Sequence, residues 1–379
     1  AVMTGGAGTG KTTVLKGFFD VCVAAGWPVF AMALSGRAAR RIGEATGHPA
    51  STIAGFLTRF DPKTAPERAV VVIDEASMLD LPAAYRLVRH LPATYRFVLV
   101  GDPHQLPPVG PGLLLHELAH QDGIPRVELQ QVKRYFGAIA DAANAIRVGH
   151  WPDLPDDPSR PIAFLPCGSG EINDIVLDLR ADDPGGTQVL CAVRSAAAGG
   201  VKTINLLGQE RLNAAGEELM LWSQEFDQRQ GTGLRIGDPV ICLANDWEKN
   251  LQNGSLGTLL SVEPPMSDPE PGRVLGRILW DDGIERDLTH DLLPNLELAY
   301  AITIHKAQGS QFRRIIIPVT KSRLLDRTLL YTAITRAQQQ VILVGDVAVA
   351  KASVEAPPHA SLRQVALGAM LDEILEGMA

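Results

Sequence analysis

One stretch, MTGGAGTGKTTV at residues 3 to 14, narrows the folds open to this chain more than any other. From Gly5 to Thr12 it reads G-x-x-x-x-G-K-T. Glycines at 5, 8 and 10 let the backbone turn so that successive N–H groups converge on one point, and the positive end of the following helix faces the same point. A loop of this kind holds phosphate. Lys11 is expected to reach the β- and γ-phosphates of ATP, and the Thr12 hydroxyl to sit on Mg²⁺. Gly6, Ala7, Gly8, Thr9, Gly10 and Thr13 complete the candidate nucleotide cradle. The loop needs a strand before it and a helix after it, and here an apolar run precedes it and a helical run follows. A parallel α/β sheet is therefore the fold to expect around it.

Two further strand ends supply what such a loop lacks. In VVVIDEAS, four apolar residues form a buried strand, and Asp74 at its end is placed to hold Mg²⁺ while Glu75 polarises an attacking water. In LVGDPHQLPPVGPG, residues 99 to 112, a strand again ends in Gly-Asp and sets Gln105 where it senses the γ-phosphate.

The first 130 or so residues alternate strand and helix: AVMT, PVFAMAL, AVVVID and RFVLVGD read as strands, GKTTVLKGFFDVCVAAG and GRAARRIGEATG as helices closed by glycine. Residues 150 to 187, rich in proline and aspartate, read as connecting structure; TQVLCAV resumes the alternation, with a helical stretch over about 200 to 220. Residues 234 to 296 change to short alternating strands with an Asp282-Gly283 hairpin signal, and α/β alternation returns after them. A duplicated α/β fold with a small all-β module inserted in its second half is the simplest organisation, in keeping with the two or three domains expected of 379 residues.

Composition sets limits only. No window approaches the roughly 20 apolar residues of a membrane span, and no secretory leader is present, so neither membrane nor export is expected. The cysteines at 22, 167, 191 and 242 form no C-x-x-C pair, which argues against zinc or a disulfide framework and fits a reducing cytoplasm. The chain opens at Ala1 and Val2 inside an expected strand, which suggests a further N-terminal domain or a partner subunit. A net charge of −8 does not exclude an anionic partner, because salt screens charges beyond about 8 Å.

The third stretch resembles the corresponding motif of superfamily 1 helicases of the RecD-like group, and the resemblance extends over most of the chain. SGRAARRIGEATG is similar to that family's Ia segment, with Ser35, Gly36 and Arg37 at its DNA-contact positions. LQQVKRYF is a looser match to motif IV, with Arg134 at the phosphate-reaching arginine but Lys133 and Tyr135 where an aromatic and a glutamine are usual. YAITIHKAQGSQF and LLYTAITRAQQQVILVG are close to motifs V and VI.

By resemblance, Thr303, His305 and Ser310 face DNA, as do Pro107 and Val109 in the third motif. Gln308 and Gly309 lie towards the nucleotide, and Arg336 is an arginine finger. Asn250, Asn253 and Gly254 match a turn of the family's SH3-like 2B insertion. The implied fold is two RecA-like domains, 1A over residues 1 to 135 and 2A over 136 to 233 and 297 to 379, with 2B over 234 to 296. Only residues 51 to 69 fill the 1B interval, too short for the family's long strand-splitting hairpin.

The implied activity is ATP-driven 5′ to 3′ movement on single-stranded DNA or DNA with a 5′ tail, in repair and recombination. ASTIAGFL also resembles the helicase modules of conjugative relaxases. An ATP-dependent switch or loader that does not move, and an RNA motor of the Upf-like branch, are the alternatives.

Overall fold

The computed structural model describes residues 1–130, 137–246, 248–267 and 272–377. β1 (Val2–Gly5) leads through the glycine loop into α1 (Lys11–Ala24), which returns the chain to β2 (Val29–Ala33). α2 (Gly36–Thr46) begins under Ser35, whose Oγ accepts from the Ala38 N–H at 3.2 Å, and ends at Gly47, where φ is 75°. β3 (Ala50–Thr52) and α3 (Ile53–Arg59) follow, then β4 (Val70–Asp74), α4 (Leu81–His90), β5 (Arg96–Gly101), α5 (Leu114–His120) and β6 (Arg126–Leu129). The sheet is parallel, in the order β3-β2-β4-β5-β1-β6. All five residues of β4 are buried, the reason its sequence is a continuous apolar run with no alternation. Residues 51 to 69 hold α3 and an irregular link and, among the described residues, no hairpin.

After α6 (Ala138–Arg147) come β7 (Ile162–Pro166), α7 (Ile172–Ala181), β8 (Thr187–Cys191) and α8 (Val201–Leu212). The stretch read from sequence as a mere connection thus supplies a strand and a helix. Its prolines cluster outside these elements, leaving Ile162, Ala163 and Phe164 to bury as an edge strand that ends on Pro166. The helix expected as far as 220 stops at Leu212. β9 (Glu218–Ser223) and β10 (Gln228–Arg235) pair there as an antiparallel hairpin, because Leu219 and Leu234 bury in the core of the β module that follows.

That module consists of β11 (Pro239–Cys242), β12 (Leu256–Val262), β13 (Val274–Trp280), β14 (Glu285–Thr289) and β15 (Leu296–Leu298), antiparallel in the order β14-β13-β12-β11-β15. Gly283, with φ of 76°, lies in the turn between β13 and β14. The chain then gives β16 (Ala301–Thr303), β17 (Phe312–Val319), α9 (Arg327–Ile334), β18 (Ala337–Gly345), α10 (Val347–Glu355) and α11 (Leu367–Glu376). The second parallel sheet runs β16-β8-β17-β18-β7. β8 and β16 are neighbours in it, so the module leaves and rejoins the chain between adjacent strands without disturbing the sheet. α11 returns to the first half, where Gln121 Nε2 donates to the Gly368 carbonyl at 3.0 Å. Among the described residues, no helix is long and apolar enough to cross a membrane.

Candidate nucleotide cleft and strand-binding surface

α1 starts at Gly10, in the left-handed region with φ of 85°, and no side chain caps it. α2, α4, α9 and α10 are capped by Ser35, Asp80, Asp326 and Asp346, whereas α5, α6, α7 and α8, like α1, have no side-chain cap. An uncapped N-terminus keeps backbone donors and the positive end of the helix dipole for an anion. Gly5 is fixed by packing: a Cβ there would lie 2.6 Å from Thr9 Oγ1 and 3.0 Å from Leu129 Cβ. Lys11 Nζ donates to the carbonyls of Gly5 at 2.7 Å and Gly6 at 3.1 Å, folded over the loop it is expected to serve.

Asp74 ends β4 in the middle of the first sheet, 3% exposed, and Glu75 follows at φ 52° and ψ 37°. For a non-glycine residue that backbone costs about 1–2 kcal/mol, strain of the kind that gathers at working sites. Burial, with the neighbouring Glu75 charge second, lifts the Asp74 pKa to about 6, against the pull of Arg41 and Lys11. Two adjacent buried carboxylates call for positive charge. Thr12 and Asp74 offer the hydroxyl and carboxylate oxygens that Mg²⁺ prefers alongside nucleotide phosphates, so the donor set fits that ion.

The opposite wall comes from α9 and the turn after it. Arg336, 3% exposed, donates from Nη2 to Gln105 Oε1 at 3.0 Å and from Nε to the Thr332 carbonyl at 3.2 Å. Thr332 Oγ1 accepts from the Leu106 N–H at 2.9 Å. The Tyr331 hydroxyl donates to Asp102 Oδ2 at 2.8 Å and accepts from the Ala7 N–H at 3.3 Å. One cavity is lined by Ala7, Gly8, Thr9, Gly10, Lys11, Thr12, Glu75, Gln105 and Arg336, together with Arg41. Residues far apart in sequence thus converge. Gly6 lines an adjoining cavity with Tyr331, and Thr13 sits in the first turn of α1, its N–H on the Gly10 carbonyl at 3.0 Å.

Gln308 and Gly309 do not line the cavity. Gly309 lies against α2 instead, where a Cβ would sit 3.4 Å from Ser35 Oγ. Arg134, like Lys133 and Tyr135, lies outside the described residues.

Sequence reasoning missed Arg41, Asp102, Tyr331 and Thr332. Arg41 Nη2 lies 3.9 Å from Glu75 Oε1. Its signal was present, since three arginines on one short helix exceed what a solvated face requires.

None of the expected DNA positions lines this cavity. Gly36 and Arg37 open α2 behind Ser35 and meet the β module, where Arg37 Nη1 donates to the Gly254 carbonyl at 2.7 Å. Asn253 N–H donates to Asn245 Oδ1 at 2.9 Å, and Asn250 takes a left-handed φ of 50°. Thr303 Oγ1 accepts from the Lys306 N–H at 3.2 Å. His305 is half-buried, and burial lowers its pKa against the opposing charge of Asp326. Ser310 is buried, whereas Val109 is 87% exposed and Pro107 half-buried.

The chain is similar to known proteins. The profile of a family described as an AAA domain matches residues 1–156, and that of the UvrD-like helicase C-terminal domain matches residues 298–344. The RecD subunit of the RecBCD enzyme of Mycolicibacterium smegmatis is 30% identical over 411 residues, covering 93% of this chain and 70% of that protein. The chain belongs to the RecD-like helicase family. The ATP-dependent RecD2 DNA helicase of Deinococcus radiodurans is 33% identical over 362 residues, covering 91% of this chain. This RecD-like chain spans about half the length of that relative, 46%. In fold it is similar to Bacteroides Pif1 bound to single-stranded DNA, with a TM-score of 0.59, 22% identity and coverage of 96% and 92% of the two chains.

Proposed function

We propose that the chain is an ATP-driven motor that moves 5′ to 3′ along single-stranded DNA in the cytoplasm. Residues 1–135 would form one RecA-like unit, 136–233 with 297–379 the other, and 234–296 an inserted SH3-like module. The observation that carries this proposal is the hydrogen bond between Arg336 and Gln105, which joins the two halves across a cavity also lined by Lys11, Thr12 and Glu75.

Backbone donors of the loop and Lys11 bind the phosphates of ATP, and Glu75 takes the proton of the attacking water. Arg336 meets the charge that spreads over the γ-phosphoryl oxygens, a contact worth roughly 10³ to 10⁵ in rate. Thr12 and Asp74 would hold Mg²⁺, which would supply positive charge against the phosphates. Opening and closing of the cleft changes the spacing of two strand-gripping surfaces, one around Arg37 and one around Thr303 and His305. Phosphate contacts of this kind carry little sequence information, so binding tolerates sequence and weakens with salt.

The test is ATP turnover with and without an oligonucleotide of DNA, or of RNA at equal length. Strong stimulation by DNA is expected, and an unchanged rate would refute movement. Glu75→Gln should abolish turnover while ATP and DNA still bind, whereas partner exchange that survives in this variant would favour a switch or loader. One observation favours a motor module of a conjugal transfer protein: the relative described as probable conjugal transfer protein TraA of Sinorhizobium fredii is 27% identical over 353 residues, covering 90% of this chain and 30% of that protein. Nicking of supercoiled DNA by the full gene product would identify that case.

A further inference from the structure

The strand-contact residues of α2 are occupied by the β module. A Cβ on Gly36 would lie 2.4 Å from the Gln252 side chain, so the module's turn is packed directly on the start of the helix. Arg37 donates to the Gly254 carbonyl and forms an ion pair with Asp281 that leaves its side chain 19% exposed. One turn along, Arg40 Nη1 donates to Asp282 Oδ2 at 3.0 Å. The acidic turn is braced on its own side. Asp282 accepts from Arg286 Nη2 at 2.6 Å and from the Ile284 N–H at 3.0 Å, and Asp281 Oδ2 accepts from the Leu256 N–H at 3.3 Å.

A guanidinium fork fits carboxylate and phosphate oxygens alike. We propose that Asp281 and Asp282 stand in for two backbone phosphates of a bound strand, so that the β module clasps α2 closed until single-stranded DNA displaces it. This inference rests on the proposal above that Arg37 binds the strand. DNA binding then exchanges carboxylate for phosphate on the same arginines. The freed carboxylates take up cations, which offsets part of the cation release that phosphate neutralisation brings. The clasp therefore lowers strand affinity and flattens its salt dependence together, and both return when a carboxylate is removed.

The test is fluorescence anisotropy of a labelled oligothymidylate, without nucleotide and across a salt series, on the full chain and two variants. Asp281→Asn removes the charge and keeps the shape, while Asp282 still holds the hairpin. Asp281→Glu keeps the charge. The Asn variant should bind about three- to tenfold more tightly, the scale of one partly exposed, charge-assisted ion pair. Its plot of log affinity against log salt should be steeper than that of the wild type, because no carboxylate is freed at position 281 to offset the cation release. The Glu variant should follow the wild type. Equal or weaker binding by Asp281→Asn, or parallel weakening of both variants, would overturn the clasp while leaving strand binding by the wild type intact. Absence of binding by all three proteins would overturn the strand-binding proposal and the clasp with it.

Discussion

Asp74→Asn should stabilise the nucleotide-free protein, although it removes a residue assigned to the cation. The Asp74 carboxyl is buried beside Glu75, and its pKa rises from the ordinary 3.8 to about 6. A raised folded-state pKa means that the native state holds the proton more tightly than the unfolded chain. The associated stability is fully present below pH 3.8 and is lost as pH rises through about 6. A shift of about two units at 1.36 kcal/mol each is on the order of 3 kcal/mol of strain carried at neutral pH.

Asparagine keeps the shape without the charge, so the gain should be largest at pH 7.5, smaller at pH 5 and smallest below pH 4. Thermal unfolding followed by circular dichroism should show a melting temperature higher by several degrees at pH 7.5. Magnesium with ATP should narrow the gap, because the cation supplies the missing positive charge to the wild type alone. A gain that does not vary with pH, or no gain at pH 7.5, would refute the account of this carboxylate.

Arg336→Ala should lower kcat by roughly 10³ or more while the KM for ATP changes only a few-fold; steady-state kinetics with saturating oligonucleotide measures both, and a loss under tenfold would remove Arg336 from the reacting phosphate. Tyr331→Phe deletes the hydrogen bond to the Asp102 carboxylate and frees the Ala7 N–H. It should cost about 1.5–3 kcal/mol in the nucleotide-free form, read by thermal unfolding, and leave ATP affinity equal or higher by calorimetry. Gly5→Ala forces a Cβ against Thr9 and Leu129 and should weaken ATP binding at least tenfold in the same titration.

Much of the cleft was legible in the sequence because its parts are local. A strand, a glycine loop and a helix fix Lys11 and Thr12 wherever the rest of the chain goes, and a buried apolar strand delivers Asp74 and Glu75 at its end. What the sequence hid depends on tertiary docking. Tyr331 and Thr332 lie in an apolar helix, and only the meeting of the two halves turns their hydroxyls to Asp102 and Leu106. The proline-rich stretch concealed β7 because three apolar residues suffice for an edge strand when a neighbour such as β18 is already in place. The hairpin of β9 and β10 was masked for a related reason, since its leucines find their core in the module and not in the sheet that precedes it. The contact of Arg37 with Asp281 has no sequence signal, because it joins two surface turns from different parts of the fold.

The central claim is directed movement along a single strand, and it can be tested without any demand for strand separation, which the short 51 to 69 interval leaves unsupported by a hairpin. Oligonucleotides carrying biotin at the 3′ end or the 5′ end are loaded with streptavidin, and ATP-dependent release is timed. The account predicts rapid release from the 3′ end, little from the 5′ end, and none with Glu75→Gln. Release from neither end while ATP is hydrolysed, or release from the 5′ end alone, would contradict it.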